Sequence, residues 1–482
     1  MKIYKNFINA EWSASKSGKT FLDVNPADRR DVIGVFQRSN ASDVALAVRA
    51  AQEALPDWSS MPAPKRAQIL FKSAQILEER KEEIARLMTR EMGKVPKETR
   101  ADVQEAIDTA YFFAGEGRRL YGQTIPSELK NKLCFTVRRP VGVCGLITPW
   151  NFPLAIPSWK VYPALICGNT AVLKPAEDTP LMSLLFAEIL LKAGLPPGVF
   201  NVITGLGREA GEPLVKHKDI RLVSFTGSSE VGSFIASTCG KLLKKVSLEM
   251  GGKNAQIVMQ DADLDLALNA AVWGAFATSG QRCTATSRII LHEKIYDQFL
   301  KKFMNAVKKI EVGPIINQKQ LKRIHAYVLK GKKEGARLLC GGGVDREGNK
   351  KFGSFYKITV FANVKSRMTI AQEEIFGPVA CFIKVRDYEE AIRVANDTAY
   401  GLSSSIFTRD LVKAVRSIEG IEAGITYVNS STIGAEAHLP FGGIKKTGNG
   451  HREAGVTALD IFSEWKTVNI DYSGRLQRAQ MD

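Results

Sequence analysis

The chain has 482 residues, 45% of them apolar and 24% charged, with 40 Gly and 19 Pro. This is globular composition, long enough for about three domains, and it excludes a collagen, a disordered tail, a coiled coil and a mini-protein. A formal charge of +17 is spread along the chain without a like-charge block, so it reads as a solvated basic surface and no nucleic-acid partner is expected.

Seven cysteines show no CxxC spacing and only five histidines accompany them. No metal is therefore expected, and a reducing compartment is. The N-terminus, MKIYKNFINAEW, lacks the apolar run of a signal peptide. No stretch approaches the ~18 uninterrupted apolar residues of a membrane span. The most apolar region, 144–167, carries Lys160 and four prolines. A soluble cytoplasmic protein with no membrane partner is expected.

Residues 3–37 predict short strands, with a turn at 25–28. Ser42 and Asp43 open a helical pattern over 42–58. Pro62 starts a longer one to about Gly93, with apolar residues at three- and four-residue steps. Residues 98–116 also read as helix. From about 138 the rhythm changes. Short β-branched runs at 141–147, 170–174, 199–203, 221–225 and 254–259 alternate with helical patterns at 180–193, 207–217 and 229–240. Such alternation predicts a parallel sheet covered on both faces, a doubly wound nucleotide-binding architecture. A second α/β series follows. It has helices at 263–279, 294–308, 387–396 and 410–418, and strands at 287–292, 357–362, 379–384, 403–407 and 424–428. The tail from Glu464 alternates like a strand that pairs with another subunit.

Four local strings carry candidate chemistry. Ser279-Gly-Gln-Arg-Cys283 follows an apolar helix pattern and precedes a strand, so Cys283 is either a nucleophile or a small buried loop residue. The adjacent Arg282 would favour its thiolate. In Leu248-Glu249-Met-Gly-Gly, Glu249 ends a strand beside two glycines and is either a general base or part of a surface turn. Phe225-Thr-Gly227-Ser228 closes a strand and opens a helix, where main-chain N–H groups attract phosphate, although the three-glycine dinucleotide fingerprint is absent. Thr148-Pro149-Trp150-Asn151 and Lys174-Pro-Ala-Glu177 sit at carboxyl ends of predicted parallel strands, where open α/β sheets bind ligands.

Taken together, PWNFP, GNTAVLKPAEDTP, FTGSSEVG, LEMGGKN, GQRCTA, EEIFGP, NDTAYGL and PFGGIKKTG occur in this order from about residue 150 to 448. The chain thereby resembles the NAD(P)-dependent aldehyde dehydrogenase superfamily, from about residue 3 to the end. The resemblance implies an α/β fold with two doubly wound domains and a small β oligomerisation element. The cofactor domain would span 1–117 and 141–250, the catalytic domain 251–446, and the oligomerisation element 118–140 and 464–482, giving a homodimer or homotetramer. It also implies Cys283 as nucleophile, Glu249 as general base and Asn151 as oxyanion donor. Lys160 and Glu453 match a proton relay, although His451 interrupts the commoner spacing before Glu453. Lys174 and Glu177 would hold the adenosine ribose, Ser228 the pyrophosphate, and Glu374 the nicotinamide ribose, with Phe376 beside the ring. Thr148, Pro149, Trp150, Gly207, Gly211, Phe225, Gly227 and Val231 would complete the cofactor site. The loop after Gly313 is about ten residues shorter than the family pattern.

These residue types suit aldehyde oxidation. A Cys283 thiolate attacks the carbonyl carbon and forms a hemithioacetal. Asn151 and the Cys283 N–H stabilise its oxyanion. Hydride transfer to the cofactor leaves a thioester, which Glu249 hydrolyses by activating water. Glu249 disfavours acyl transfer to coenzyme A. Glu177 would accept from a ribose 2′-OH and repel a 2′-phosphate, which favours NAD over NADP. Arg282 suits a small-molecule aldehyde that carries a carboxylate or phosphate. The C-terminal strings are similar to dehydrogenases of 2,5-dioxopentanoate, the leading substrate expectation. Glyceraldehyde, its 3-phosphate, succinic semialdehyde and a broad aldehyde range are the alternatives.

Overall fold

A computed structural model describes residues 1–481. Two seven-stranded sheets organise the chain. The first runs in the order Lys245–Glu249, Leu222–Thr226, Val143–Ile147, Thr170–Lys174, Phe200–Val202, Asn6–Ile8, Glu11–Ser13. Its five central and outer strands from 143 to 249 pair in parallel, and the two N-terminal strands add antiparallel. The chain starts this parallel series at Val143–Ile147, winds one way to Phe200–Val202, then returns to Leu222–Thr226 on the other side. The strand order therefore reverses between Val143–Ile147 and Leu222–Thr226, and such a crevice is where open α/β sheets take ligands.

The second sheet runs Arg337–Cys340, Thr359–Ala362, Val379–Val385, Thr286–His292, Asn254–Val258, Ser403–Phe407, Ile425–Val428, and only its first pair is antiparallel. Ser463–Asp471 pairs antiparallel with Lys132–Pro140 over nine residues, and Thr124–Ile125 completes this third sheet. Ser463–Asp471 is an edge strand with most of its side chains exposed.

Several elements differ from the sequence expectation. The helical pattern from Pro62 to Gly93 is two helices, Ala63–Glu79 and Lys81–Met92, broken at Arg80. The Arg80 guanidinium there bridges Glu83 and Glu188, and a one-residue break does not disturb apolar spacing enough to be seen in it. The pattern over 207–217 is a π-helical turn, Gly207–Gly211, followed by a short α-helix, Glu212–Lys216. The pattern over 263–279 stops at Phe276, because Thr278 and Ser279 turn left-handed. Residues 144–167 contain a strand and the helix Ala155–Ile166, every residue of which is buried. A helix that is apolar all round shows no periodicity to read. Pro157 sits in its first turn, where a missing N–H costs little. The helix Gln318–Lys333 and the strand Arg337–Cys340 were also not anticipated.

The core is continuous around Ala155–Ile166. Leu70, Leu77, Ile107, Phe113, Tyr162 and Phe186 are each fully buried there, and burial of each large apolar side chain contributes about 1.5–3 kcal/mol. Ile257, Ile290, Phe361 and Ile406 form the corresponding core under the second sheet. Among the described residues no helix is long and apolar enough to cross a membrane. No group of three or more His, Cys, Asp or Glu among them is placed to hold a metal ion.

Candidate active site

Cys283 follows a strained segment that joins the helix Leu264–Phe276 to the strand Thr286–His292. Thr278 (φ 53°), Ser279 (φ 57°) and Gly280 (φ 69°) are left-handed in succession. For a residue with a Cβ that conformation costs about 1–3 kcal/mol, so neighbours must enforce it. The Glu98 carboxylate accepts from the Thr278 N–H at 2.6 Å. Ser279 Oγ donates to the Gly313 carbonyl at 2.7 Å. The Gln281 amide donates to the Thr278 and Pro314 carbonyls and accepts from Ile316 N–H. Gly280 admits no side chain, since a Cβ would strike the Gly377 carbonyl. The connection after residue 307 thus supplies, through Gly313 and Pro314, two of the acceptors that fix the loop.

The half-buried Cys283 lines two chambers at once. One is a cleft of about 120 Å³ at the reversal of the first sheet. The other is a smaller chamber of about 60 Å³ walled by Phe152, Trp159 and Phe441. Burial, reinforced by Glu374 and Glu249, pushes the thiol up to about 12. It is therefore protonated at neutral pH. The expected activation by Arg282 is not what the geometry provides. The Arg282 Nε donates to Thr278 Oγ1 at 2.9 Å, its Nη2 lies 3.9 Å from Glu98, and the guanidinium stacks over the Phe152 ring. It lines the smaller chamber instead of pairing with the sulfur.

Asn151 lies on the loop after Val143–Ile147 and donates one amide proton to the Gln281 carbonyl at 3.1 Å. This ties the loop to the nucleophile segment and leaves its second amide proton for another acceptor. Glu249 ends its strand, and its carboxylate is buried with no hydrogen-bond partner among the described residues. Gly442 backs it, and a Cβ there would strike the carboxylate. Burial first, then Glu453, hold the Glu249 carboxyl well above the usual carboxylate range, against the smaller pull of Lys160 and Arg452. A raised carboxyl beside a thiol is the acid–base pairing that proton transfer between them requires.

Lys160 sits mid-helix in Ala155–Ile166, fully buried, and its Nζ pairs with Glu453 and donates to Ser224 Oγ at 2.9 Å. Despite the intervening His451, Glu453 is anchored by two main-chain hydrogen bonds with Phe441, at 2.6 and 2.7 Å. Glu249, Glu453 and Cys283 line the same chamber.

The cleft on the other side of Cys283 gathers Pro149, Trp150, Asn151, Gly227, Ser228, Glu374 and Phe376. Ser228 caps the helix Ser229–Lys241, accepting from Val231 N–H, so the positive end of that helix opens at the cleft. Phe225 packs its ring against Gly227, and Val231 is exposed on the first turn. The Glu374 carboxylate accepts from Gly252 N–H at 2.9 Å, and burial raises it to about 7. Phe376, itself left-handed at φ 59°, meets Trp150 edge to face with centroids 5.3 Å apart. Lys174, Glu177, Gly207 and Gly211 do not line this cleft. At the neighbouring strand end Lys174 Nζ lies 3.2 Å from Glu177 and Gly211 borders the Lys174 stem, whereas Gly207 starts the π-helical turn with no neighbour at its Cβ position. Thr148 joins the two groups, its N–H donating to the Lys174 carbonyl, and its buried hydroxyl has no partner among the described residues. Gln320 and Arg323 also line the cleft and were missed. Their helix had a legible start at Asn317, whose side chain caps it, followed by Leu321, Ile324 and Val328 at core spacing.

A helix N-terminus at a topological switch point, a carboxylate for a ribose and an unpartnered hydroxyl fit a dinucleotide. A cysteine flanked by buried carboxyls lies beside it, and together these features suit a cofactor-dependent oxidoreductase. The chain belongs to the aldehyde dehydrogenase family, whose sequence model matches residues 12–468. It is accordingly an NAD(P)-dependent oxidoreductase acting on aldehydes. It is 45% identical over 477 residues to the alpha-ketoglutaric semialdehyde dehydrogenase of Bacillus subtilis, covering 97% of this chain and 98% of that one. It is 41% identical over 477 residues to the alpha-ketoglutarate semialdehyde dehydrogenase of Haloferax volcanii, covering 97% and 99%. The crystal structure of betaine aldehyde dehydrogenase from Staphylococcus aureus in complex with NAD+ superposes with a TM-score of 0.96 at 34% identity, covering 98% of this chain and 95% of that one.

Proposed function

We propose that this enzyme oxidises a short anionic semialdehyde, with 2,5-dioxopentanoate as the leading substrate, to the dicarboxylate. The observation that carries the reading is the position of Cys283 between the two chambers, with Glu249 on one side and Arg282 on the wall of the smaller chamber. The names of the two semialdehyde dehydrogenases to which the chain is 45% and 41% identical support the same substrate class.

Glu249 takes the Cys283 proton, directly or through water, and the sulfur adds to the aldehyde carbon. Asn151 donates its free amide proton to the resulting oxyanion, together with the Cys283 N–H. A nicotinamide cofactor held by Ser228, Glu374, Phe376 and Trp150 would supply the hydride acceptor that conversion of the hemithioacetal to a thioester needs. Glu249 then removes a proton from water, and hydroxide displaces Cys283 from the acyl carbon. The buried Lys160–Glu453 pair carries the Cys283 proton away from Glu249 before water is activated, and the proton taken from water returns from Glu249 to the departing Cys283 sulfur. Ser228 and the helix behind it hold the pyrophosphate, Glu374 a ribose, and Phe376 with Trp150 the wall of the nicotinamide pocket. Lys174 and Glu177 hold the second ribose, and the Glu177 carboxylate favours NAD.

The first sheet serves the cofactor, the second carries the Cys283 loop, and Ser463–Asp471 presents an unpaired edge. Unpaired edges of this length invite strand pairing, and we assign the third sheet to a homodimer or homotetramer interface in the cytoplasm. The deciding experiment is reduced-cofactor absorbance over a panel of 2,5-dioxopentanoate, succinic semialdehyde, glyceraldehyde, its 3-phosphate and neutral aldehydes, with NAD and NADP in parallel. A strong kcat/KM preference for 2,5-dioxopentanoate is expected. A flat profile overturns the substrate assignment.

A further inference from the structure

Phe152 carries two cations. It lies on the loop between Val143–Ile147 and Ala155–Ile166 and walls the smaller chamber. The Lys94 ammonium sits over its ring at 3.4 Å from the centroid, and the Arg282 guanidinium carbon at 5.0 Å. Neither the ring nor Lys94 has a part in the mechanism above. Lys94 belongs to the connection between the helices Lys81–Met92 and Pro96–Glu116. Its side chain and that of Asp102 are fully buried and paired at 2.7 Å. The other Asp102 oxygen accepts from the Ala155 N–H at 2.9 Å, at the start of the helix that follows Phe152. One buried carboxylate thus fixes Phe152 from two sides, through the ammonium over its ring and through that helix start.

An aromatic face attracts a cation, and a guanidinium stacked on it keeps its N–H donors in its own plane for a carboxylate. Arg282 needs such a support. Its Nε is engaged by Thr278 Oγ1, and its Nη2 lies 3.9 Å from Glu98, a carboxylate that draws the guanidinium away from the chamber. Lys94 and Arg282 are also close enough for their like charges to oppose each other. Thr278 and Glu98 do not line the chamber, whereas the Phe152 ring does. We propose that Phe152 is a positioning residue for substrate recognition: its ring, pinned by Lys94 and Asp102, holds the Arg282 guanidinium on the chamber wall with its remaining donors open to the carboxylate of the substrate. This rests on the anionic-substrate reading above and adds the residue that orients Arg282. An aliphatic side chain at 152 would still wall the chamber but would leave the guanidinium to turn towards Glu98.

The test is a double-mutant cycle on the ratio of kcat/KM for 2,5-dioxopentanoate to that for pentanal. Changes in Cys283 reactivity or in its loop act on both aldehydes and cancel in the ratio. In Phe152→Leu the ratio is expected to fall about fivefold to thirtyfold, as loss of a desolvated cation–π contact implies, with the change in KM for the anion. Phe152→Tyr keeps the π face and should keep most of the native ratio. In Arg282→Ala the ratio is already low, and adding Phe152→Leu should lower it no further. A high native ratio that Phe152→Leu leaves unchanged overturns the Phe152 assignment alone. So does an equal fall in both backgrounds, because Phe152 would then act on the substrate by itself. A native ratio near one overturns the substrate reading and Phe152 with it. Phe152→Met, which lacks a π face, carries the same expectation as Phe152→Leu and replaces it where that variant does not fold.

Discussion

The Glu98 carboxylate and the main-chain N–H of Thr278 are joined by a 2.6 Å hydrogen bond. Through it the helix Pro96–Glu116 holds a loop whose next two residues, Ser279 and Gly280, are also left-handed. A loop that relaxes by about 1 Å would misplace Cys283, and such displacements cost about a hundredfold in rate. Glu98→Ala is therefore expected to lower kcat about tenfold to a hundredfold, with little change in cofactor Kd by fluorescence titration. Glu98→Gln, whose amide oxygen still accepts from Thr278, should retain most of the activity. Equal losses in both variants would show that the charge, not the hydrogen bond, matters.

Among the described residues Cys283 is the one thiol that faces both chambers. Cys144, Cys167, Cys239 and Cys381 are buried, each pushed up in pKa mainly by burial. Cys283→Ala should abolish aldehyde oxidation while leaving NAD binding intact. Near-normal turnover in the steady-state assay would remove the covalent mechanism.

The Glu249 carboxyl is raised by its burial and by Glu453. It acts as a base only when ionised, so its contribution grows as pH rises through that raised value and is lost below it. The native kcat should climb with pH wherever thioester hydrolysis limits turnover. In Glu249→Gln the climb disappears, and one equivalent of reduced cofactor forms in a burst before slow turnover. Stopped-flow absorbance reads both. An unchanged steady-state rate would exclude Glu249 as the base.

Much of this site was legible because it lies at strand ends. The runs at 141–147, 170–174 and 221–225 predicted parallel strands; Asn151 and Ser228 lie on the loops that follow the first and third, and Lys174 ends the second. The structure places all three at the carboxyl ends of neighbouring parallel strands of the first sheet. Other features depend on what packs against them. Arg282 was read as a partner for the sulfur, yet Thr278 and Glu98 take its guanidinium. Nothing in a Thr-Ser pair announces left-handed backbone, because Gln281, Gly313 and Glu98 impose it. Lys160 stands out by itself only as a charge in an apolar run, and the family resemblance alone couples it to Glu453, 293 residues away.

That pair has a stability consequence. The side chains of Lys160 and Glu453 are 0% and 3% exposed, and removal of one partner from such a pair leaves a buried charge at a cost of about 3–5 kcal/mol. Lys160→Met should lower Tm by several degrees. Lys160→Met combined with Glu453→Gln should recover part of the loss, since no uncompensated carboxylate remains. Differential scanning calorimetry of the two variants decides this. A double variant no more stable than the single one would mean that packing, not charge, accounts for the effect.

Arg282 tests the substrate class. Its Nε and one edge are occupied by Thr278 and Glu98, so the rest of the guanidinium is what the smaller chamber offers an anion. A hydrogen-bonded charge contact of this kind contributes about 1.5–3 kcal/mol, or about tenfold to a hundredfold in KM. Arg282→Ala also releases Thr278, so kcat should fall for every aldehyde. The informative quantity is KM: it should rise about tenfold or more for anionic semialdehydes and little for neutral aldehydes of the same length. Arg282→Lys keeps the charge without the planar fork and should recover only part of the difference. Equal KM changes for charged and neutral substrates would place Arg282 in the loop's support alone and remove it from substrate recognition.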